Sequence, residues 1–199
     1  MMFENEKGIT TIETHKSRLA FEEPFRLAGC HFTKVSFDQF KFDCRKLESA
    51  GALWFESESR IHEYYDAIQL PRRATKDSAG YDFYAPFPCS LVKDIPVTIP
   101  TGVRIILNPG TFLMCVPRSG LGFEYGMKLR NGTGIIDAGY AWADNEGHIM
   151  AKITTEESFK LNTGDRFMQG IILPFFVTED DNADGTRTGG FGSTGGAAL

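Results

Sequence analysis

VTIPTGVRIILNPGTFLMCV, Val97 to Val116, is the stretch that decides the fold. Three apolar runs, VTIP, VRIIL and TFLMCV, are parted only by Thr-Gly and Asn-Pro-Gly. Short runs bounded by Gly, Pro and Asn read as β-strands. Breaks this short leave no room for crossover helices, which argues against a doubly wound α/β fold. The same texture extends outward, to YDFYA at 81–85 and to HIMAKI and FMQGIILPFFV at 148–153 and 167–177. The expected fold class is mainly β, an antiparallel sandwich or barrel over residues 68–178.

The flanks differ. Residues 1–67 set many phenylalanines among charges and read as a mostly helical appendage with extended chain near Leu27–Val35. Ser36-Phe37-Asp38-Gln39 is a capping box, and Phe37, Phe40, Cys44 and Leu47 follow at helical spacing. A second helix is expected around Glu56–Ala67. Residues 179–199 begin with the acidic EDDNAD and end on glycines, the texture of a solvated arm.

Composition narrows the function. The chain has 199 residues with a net charge of -5, so there is no overall basic field to hold nucleic acid. No apolar run approaches the ~20 residues of a membrane span, and the polar start has no signal-peptide core. The four cysteines, Cys30, Cys44, Cys89 and Cys115, form no CxxC pair and the four histidines do not cluster. Reduced thiols in a cytoplasmic protein, without a His-based metal site, are the expectation.

Several stretches carry chemistry. PRSGLG, 117–122, follows a strand; its glycines let backbone N–H groups turn to an anion, and Arg118 and Ser119 add donors. Alone, the same residues make an Arg-Ser-Gly turn. NGTGIIDAGY, 131–140, puts Asp137 at the end of an apolar strand, where a carboxylate can serve as general base towards water or cap a turn. In GDRFMQGI, 164–171, Asp165-Arg166 reads as an ion pair at a turn, and Gln169 needs an amide partner or faces solvent. RTGGFGSTG, 187–195, combines Arg187, Phe191, Ser193 and Thr194 with glycines that permit close approach to a ligand. It is no Walker loop, since no lysine precedes the hydroxyl pair.

Taken in order with SAGYDFYA at 78–85, these stretches resemble the five motifs of the trimeric dUTP diphosphatase (dUTPase) family, over about Gln69–Gly195. The resemblance implies a dUTPase-like β-barrel or distorted jelly roll, a homotrimer whose active sites are shared between subunits, and Mg²⁺-assisted hydrolysis of dUTP to dUMP and pyrophosphate. That reaction limits uracil incorporation into DNA and supplies dUMP for dTMP synthesis. Residue by residue, Asp137 matches the base that orients a water on the α-phosphorus. Asn131 and the backbone of Gly134 and Ile136 match the uracil-reading hairpin, and Tyr140 the ring under deoxyribose. Arg118, Ser119, Gly120 and Gln169 match the phosphate site. Arg187, Gly192, Ser193 and Thr194 match a closing arm whose Phe191 caps the base. Asp82 matches the acidic position that reaches magnesium through water; a capped turn in AGYD is its plain alternative.

The chain also departs from the family pattern. DAGYAWADNEGHI replaces Asp-x-Asp-Tyr-Arg-Gly, which implies a longer hairpin with Trp142 at its tip over Ala141–Glu146. The role of residues 1–67, including any partner, is open. A dCTP deaminase of the same fold, with Glu146 as its acid/base, and a non-catalytic regulatory trimer are the alternatives.

Overall fold

The computed structural model describes residues 27–51 and 53–185. In chain order the elements are β1 (His31–Lys34), α1 (Phe37–Ser49), α2 (Glu58–Asp66), β2 (Arg72–Arg73), β3 (Tyr81–Tyr84), β4 (Cys89–Leu91), β5 (Val97–Pro100) and β6 (Val103–Ile106). Then come β7 (Thr111–Pro117), α3 (Ser119–Tyr125), β8 (Lys128–Leu129), β9 (Gly134–Asp137), a 3-10 helix (Ala138–Trp142), β10 (Met150–Thr154), β11 (Phe159–Leu161) and β12 (Arg166–Pro174). The three runs of the opening stretch are strands β5, β6 and β7, and the protein is mainly β.

The strands form a five-stranded sheet, β2-β3-β12-β7-β9, a three-stranded one, β5-β10-β8, and the pairs β1-β6 and β11-β4. All pairings are antiparallel. One apolar core lies within, built from Phe83, Ile99, Leu113, Ile153 and Phe167. Among the described residues no helix is long and apolar enough to cross a membrane.

The helical segment joins this core instead of standing apart from it. Strand β1 pairs with β6, His31 opposite Ile106. Phe40, Cys44, Phe55 and Ile61 are buried in the same cluster as the barrel residues. Helix α1 starts where the capping box predicts, with Ser36 Oγ accepting from Gln39 N at 3.1 Å. The reciprocal half differs. Ser36 N–H donates to Glu146 Oε2 at 2.7 Å and Ser36 Oγ–H to Glu146 Oε1 at 2.6 Å. A carboxylate is the stronger acceptor, so it displaces the neutral amide of Gln39, which turns to Asp43 at 2.8 Å.

Two expected hairpins take other forms. Strands β8 and β9 pair with β10 and β7 respectively, so NGTG is a turn between two sheets, closed by a single Leu129–Gly132 bridge. Gly132, at φ 72°, supplies the left-handed residue that the turn needs. The insertion after Tyr140 forms no hairpin either. It runs from the 3-10 helix through successive turns, Ala143 N to Tyr140 O, Glu146 N to Ala143 O and His148 N to Asn145 O. Glu146 and Gly147 are both left-handed, at φ 55° and 70°. A Cβ on Gly147 would lie 2.6 Å from Ala141 Cα and 2.7 Å from Tyr140 O, so the loop folds flat onto its own start only with glycine there.

Candidate active site

Antiparallel register decides which side chains share a face. Leu113 and Cys115 of β7 point into the core, so Phe112, Met114 and Val116 lie on the outer face. Opposite them on β12 are Leu173, Ile171 and Gln169, and on β9 Asp137 and Ile135 stand opposite Phe112 and Met114. Asp82 stands opposite Gln169. The outer face is therefore a row of half-buried apolar side chains with Asp82 and Gln169 at one end and Asp137 at the other.

At the Asp82 end two arginines converge on one buried carboxylate. Asp82 is 6% exposed and takes Arg118 Nε at 3.0 Å on one oxygen and Arg166 Nη1 at 3.2 Å on the other. Arg118 is the N-cap of α3, and its own N–H donates to Phe167 O at 3.2 Å, which ties the loop to β12. PRSGLG is thus a helix start. Ser119 and Gly120 are exposed in the first turn, where backbone N–H groups lack intrahelical partners and favour an anion. Gln169 is half-buried with its amide 3.5 Å from Pro117 O. A Cβ on Gly80 would come within 2.4 Å of Gln169 Oε1, so Gly80 makes room for that amide.

The Asp137 end is more open. Asp137 is exposed at the N-cap of the 3-10 helix, and its side chain makes no capping bond there. Asn131 is exposed in the preceding turn. Gly134 packs closely on β7, and a Cβ there would lie 3.2 Å from Cys115 Cβ. Ile136 is half-buried. Tyr140 is only 3% exposed, with its hydroxyl donating to His148 O at 2.9 Å and accepting from Asn145 Nδ2 at 2.8 Å. Arg187, Phe191, Gly192, Ser193 and Thr194 lie outside the described residues.

The two ends are far apart. Asp137 stands opposite Phe112, and Arg118 lies six residues further along β7. At about 3.3 Å per residue that is roughly 20 Å. One chain does not bring both to a single triphosphate.

Sequence reasoning misplaced one pair and missed two residues. Asp165 does not pair with Arg166; its carboxylate closes the turn by accepting from Asn162 N at 2.7 Å, and Arg166 reaches across the sheet to Asp82. Only strand register, not adjacency, reveals Arg166. Asp43 and His148 also escaped notice. His148 is fully buried; its Nε2 accepts from Gly102 N at 2.8 Å, so its Nδ1 carries the proton given to Asp43 Oδ2 at 2.6 Å. Glu146 is engaged by Ser36, which leaves the deaminase alternative without its acid/base group.

These carboxylates fix an acid limit. Burial would raise the Asp43 carboxyl, but hydrogen bonds from His148 and Gln39 outweigh it and hold it below the ordinary 3.8. Burial would likewise raise Glu146, and the two Ser36 bonds bring it below 4.5. A carboxyl depressed in the folded state stabilises above its unfolded value and loses that contribution as pH falls through the folded one. The melting temperature should fall more steeply below about pH 4 in the wild type than in an Asp43→Asn/Glu146→Gln double variant. Parallel pH–melting curves for the two proteins would disprove this.

Similarity to known proteins follows the same boundaries. A family model described as dUTPase matches residues 66–195. The deoxyuridine 5'-triphosphate nucleotidohydrolase of Lactococcus lactis is 38% identical over 141 residues, 68% of this chain and 94% of that protein. The crystal structure of dUTPase from Streptococcus mutans superposes with TM-score 0.52 at 32% identity, over 57% of this chain and 91% of that one. A mutant dUTPase from phage phi11 of S. aureus, described for its coordination of a structural Mg(II) ion, shares the fold at TM-score 0.51 and 21% identity, over 60% and 92%.

Proposed function

The chain belongs to the dUTPase family and hydrolyses dUTP to dUMP and pyrophosphate, and from that premise we propose how its residues divide the work. The observation that supports the division is that Asp137 lies at one end of an outer sheet face and Asp82, Gln169 and the Asp82–Arg118 ion pair at the other. A triphosphate is much shorter than the roughly 20 Å between them. Each site therefore takes Asp137 from one copy and Arg118 from another, and the apolar row between them supplies a surface for assembly. A homotrimer fits this arrangement, with Arg187, Gly192, Ser193, Thr194 and Phe191 of an arm completing each site.

Asp137 accepts a proton from a water as that water attacks the α-phosphorus. The bond from the α-phosphorus to the bridging oxygen breaks, and pyrophosphate leaves in line. Arg118, the first-turn N–H groups at Ser119 and Gly120, and the Gln169 amide hold the phosphate oxygens. Asp82 orients Arg118. Asn131 and the backbone of Gly134 and Ile136 hydrogen-bond the uracil edge, and Tyr140 bounds the sugar. The inward packing of Tyr140 fixes its ring and presents little of it.

Among the described residues no three of His, Cys, Asp and Glu converge as metal ligands. Asp82, whose oxygens keep lone pairs beyond those the two arginines use, is the residue that would hold Mg²⁺ arriving with the triphosphate. Bound there, the ion would neutralise phosphate charge. The four unpaired thiols support a cytoplasmic setting.

Pyrophosphate release from dUTP, UTP, dCTP and dTTP, with Mg²⁺ or EDTA, tests the assignment. dUTP should be preferred by about two orders of magnitude or more, because a hydrogen-bonding site leaves partners unpaired with the wrong base. EDTA should suppress turnover. Ammonia release from dCTP would restore the deaminase.

A further inference from the structure

The family match begins at residue 66, after α1, yet α1 holds the loop that follows Asp137 at two points. Ser36, at the N-cap, binds both oxygens of Glu146. About two turns further on, Asp43 binds the buried His148. Between these anchors the chain is fully determined. Glu146 sits in a left-handed conformation that a residue with a Cβ rarely adopts, held there by its carboxylate. Gly147 lies so near the Tyr140–Ala141 backbone that a Cβ would not fit. The carbonyl of His148 receives the Tyr140 hydroxyl, and Asn145 Nδ2 closes the ring of bonds. His148 is fixed from behind as well, through Gly102 N, whose residue also accepts Val35 N–H at the entry to α1.

We propose that α1 is a positioning device for the active site: the Asp43–His148 and Ser36–Glu146 contacts set the 138–149 loop, and through Tyr140 they set the discrimination between deoxyribose and ribose. The proposal rests on the reading of Tyr140 as the sugar-facing ring. Asp43 and His148 touch no substrate; they act through the loop. If Asp43 is removed, the His148 ring loses its proton acceptor, its carbonyl shifts, and the Tyr140 ring gains freedom to admit a 2′-hydroxyl.

The test uses the full chain and measures kcat and KM separately for dUTP and UTP. In Asp43→Ala, kcat/KM for dUTP should fall about tenfold with UTP less affected, so that the dUTP:UTP preference narrows by a similar factor. Asp43→Asn keeps an oxygen to accept the Nδ1 proton and should stay within about threefold of wild type. A merely structural role would lower the amount of active enzyme and leave the ratio unmoved. An Asp43→Ala protein that melts cooperatively above assay temperature with an unchanged ratio overturns the proposal. Should that variant not fold, Ser36→Ala and Glu146→Gln, at the more exposed anchor, take its place; they should narrow the ratio about threefold, and no change in either overturns it. The wild type is assayed first. Its failure on dUTP would remove the functional reading itself, whereas a flat variant series removes only the role of α1.

Discussion

Asp137→Asn should lower kcat on dUTP by about three orders of magnitude while KM changes little. The amide has the size of the carboxylate but cannot take the proton of the attacking water. Stability should change little, because Asp137 is exposed and asparagine keeps its size. Assembly should also persist, since the apolar row on the sheet is unchanged. Steady-state pyrophosphate release, with melting and mass measurements on the same preparations, checks all three expectations. A variant that keeps more than about a tenth of wild-type kcat would place the base elsewhere.

Arg118→Ala should be nearly as damaging, about two to three orders of magnitude, through loss of a charged donor aimed at the phosphates. It also strips one of the two cations from the buried Asp82. The decisive measurement mixes the two dead proteins. A hybrid assembly contains sites with Asp137 from an Arg118→Ala chain and Arg118 from an Asp137→Asn chain. Random co-assembly in equal amounts leaves about a quarter of the sites intact. Co-expression with two affinity tags and tandem purification would yield such hybrids. Tandem purification removes the parental trimers, so activity rising to about a third of wild type supports the shared site; activity no higher than the sum of the parents would mean that each chain closes its own site, contrary to the strand geometry.

How much of this was readable beforehand depends on the range of the interaction. The strands were legible because their pattern is local: VTIP, VRIIL and TFLMCV carry their own turns. The helix start at Ser36 was legible for the same reason. The partner of Arg166 was not, because cross-strand register, and no neighbour in sequence, brings Asp82 to it. The outer face was hidden by its own chemistry. In TFLMCV both faces of β7 are apolar, and a sequence cannot tell a face covered by its own core from one awaiting another chain. The Asp43–His148 contact joins residues 105 positions apart without any repeat or spacing to announce it. Among the motif residues, position on the face followed from register, whereas the inward packing of Tyr140 came from an insertion that no motif foretells.

The length of β7 has a further consequence. On the proposed division of the site, with Asp137 and Arg118 roughly 20 Å apart, an isolated subunit would be a folded protein without a reaction centre. Specific activity is then tied to abundance: on dilution, catalysis fades as subunits part, well before any barrel unravels, and output climbs more steeply than expression level as a cell accumulates the polypeptide.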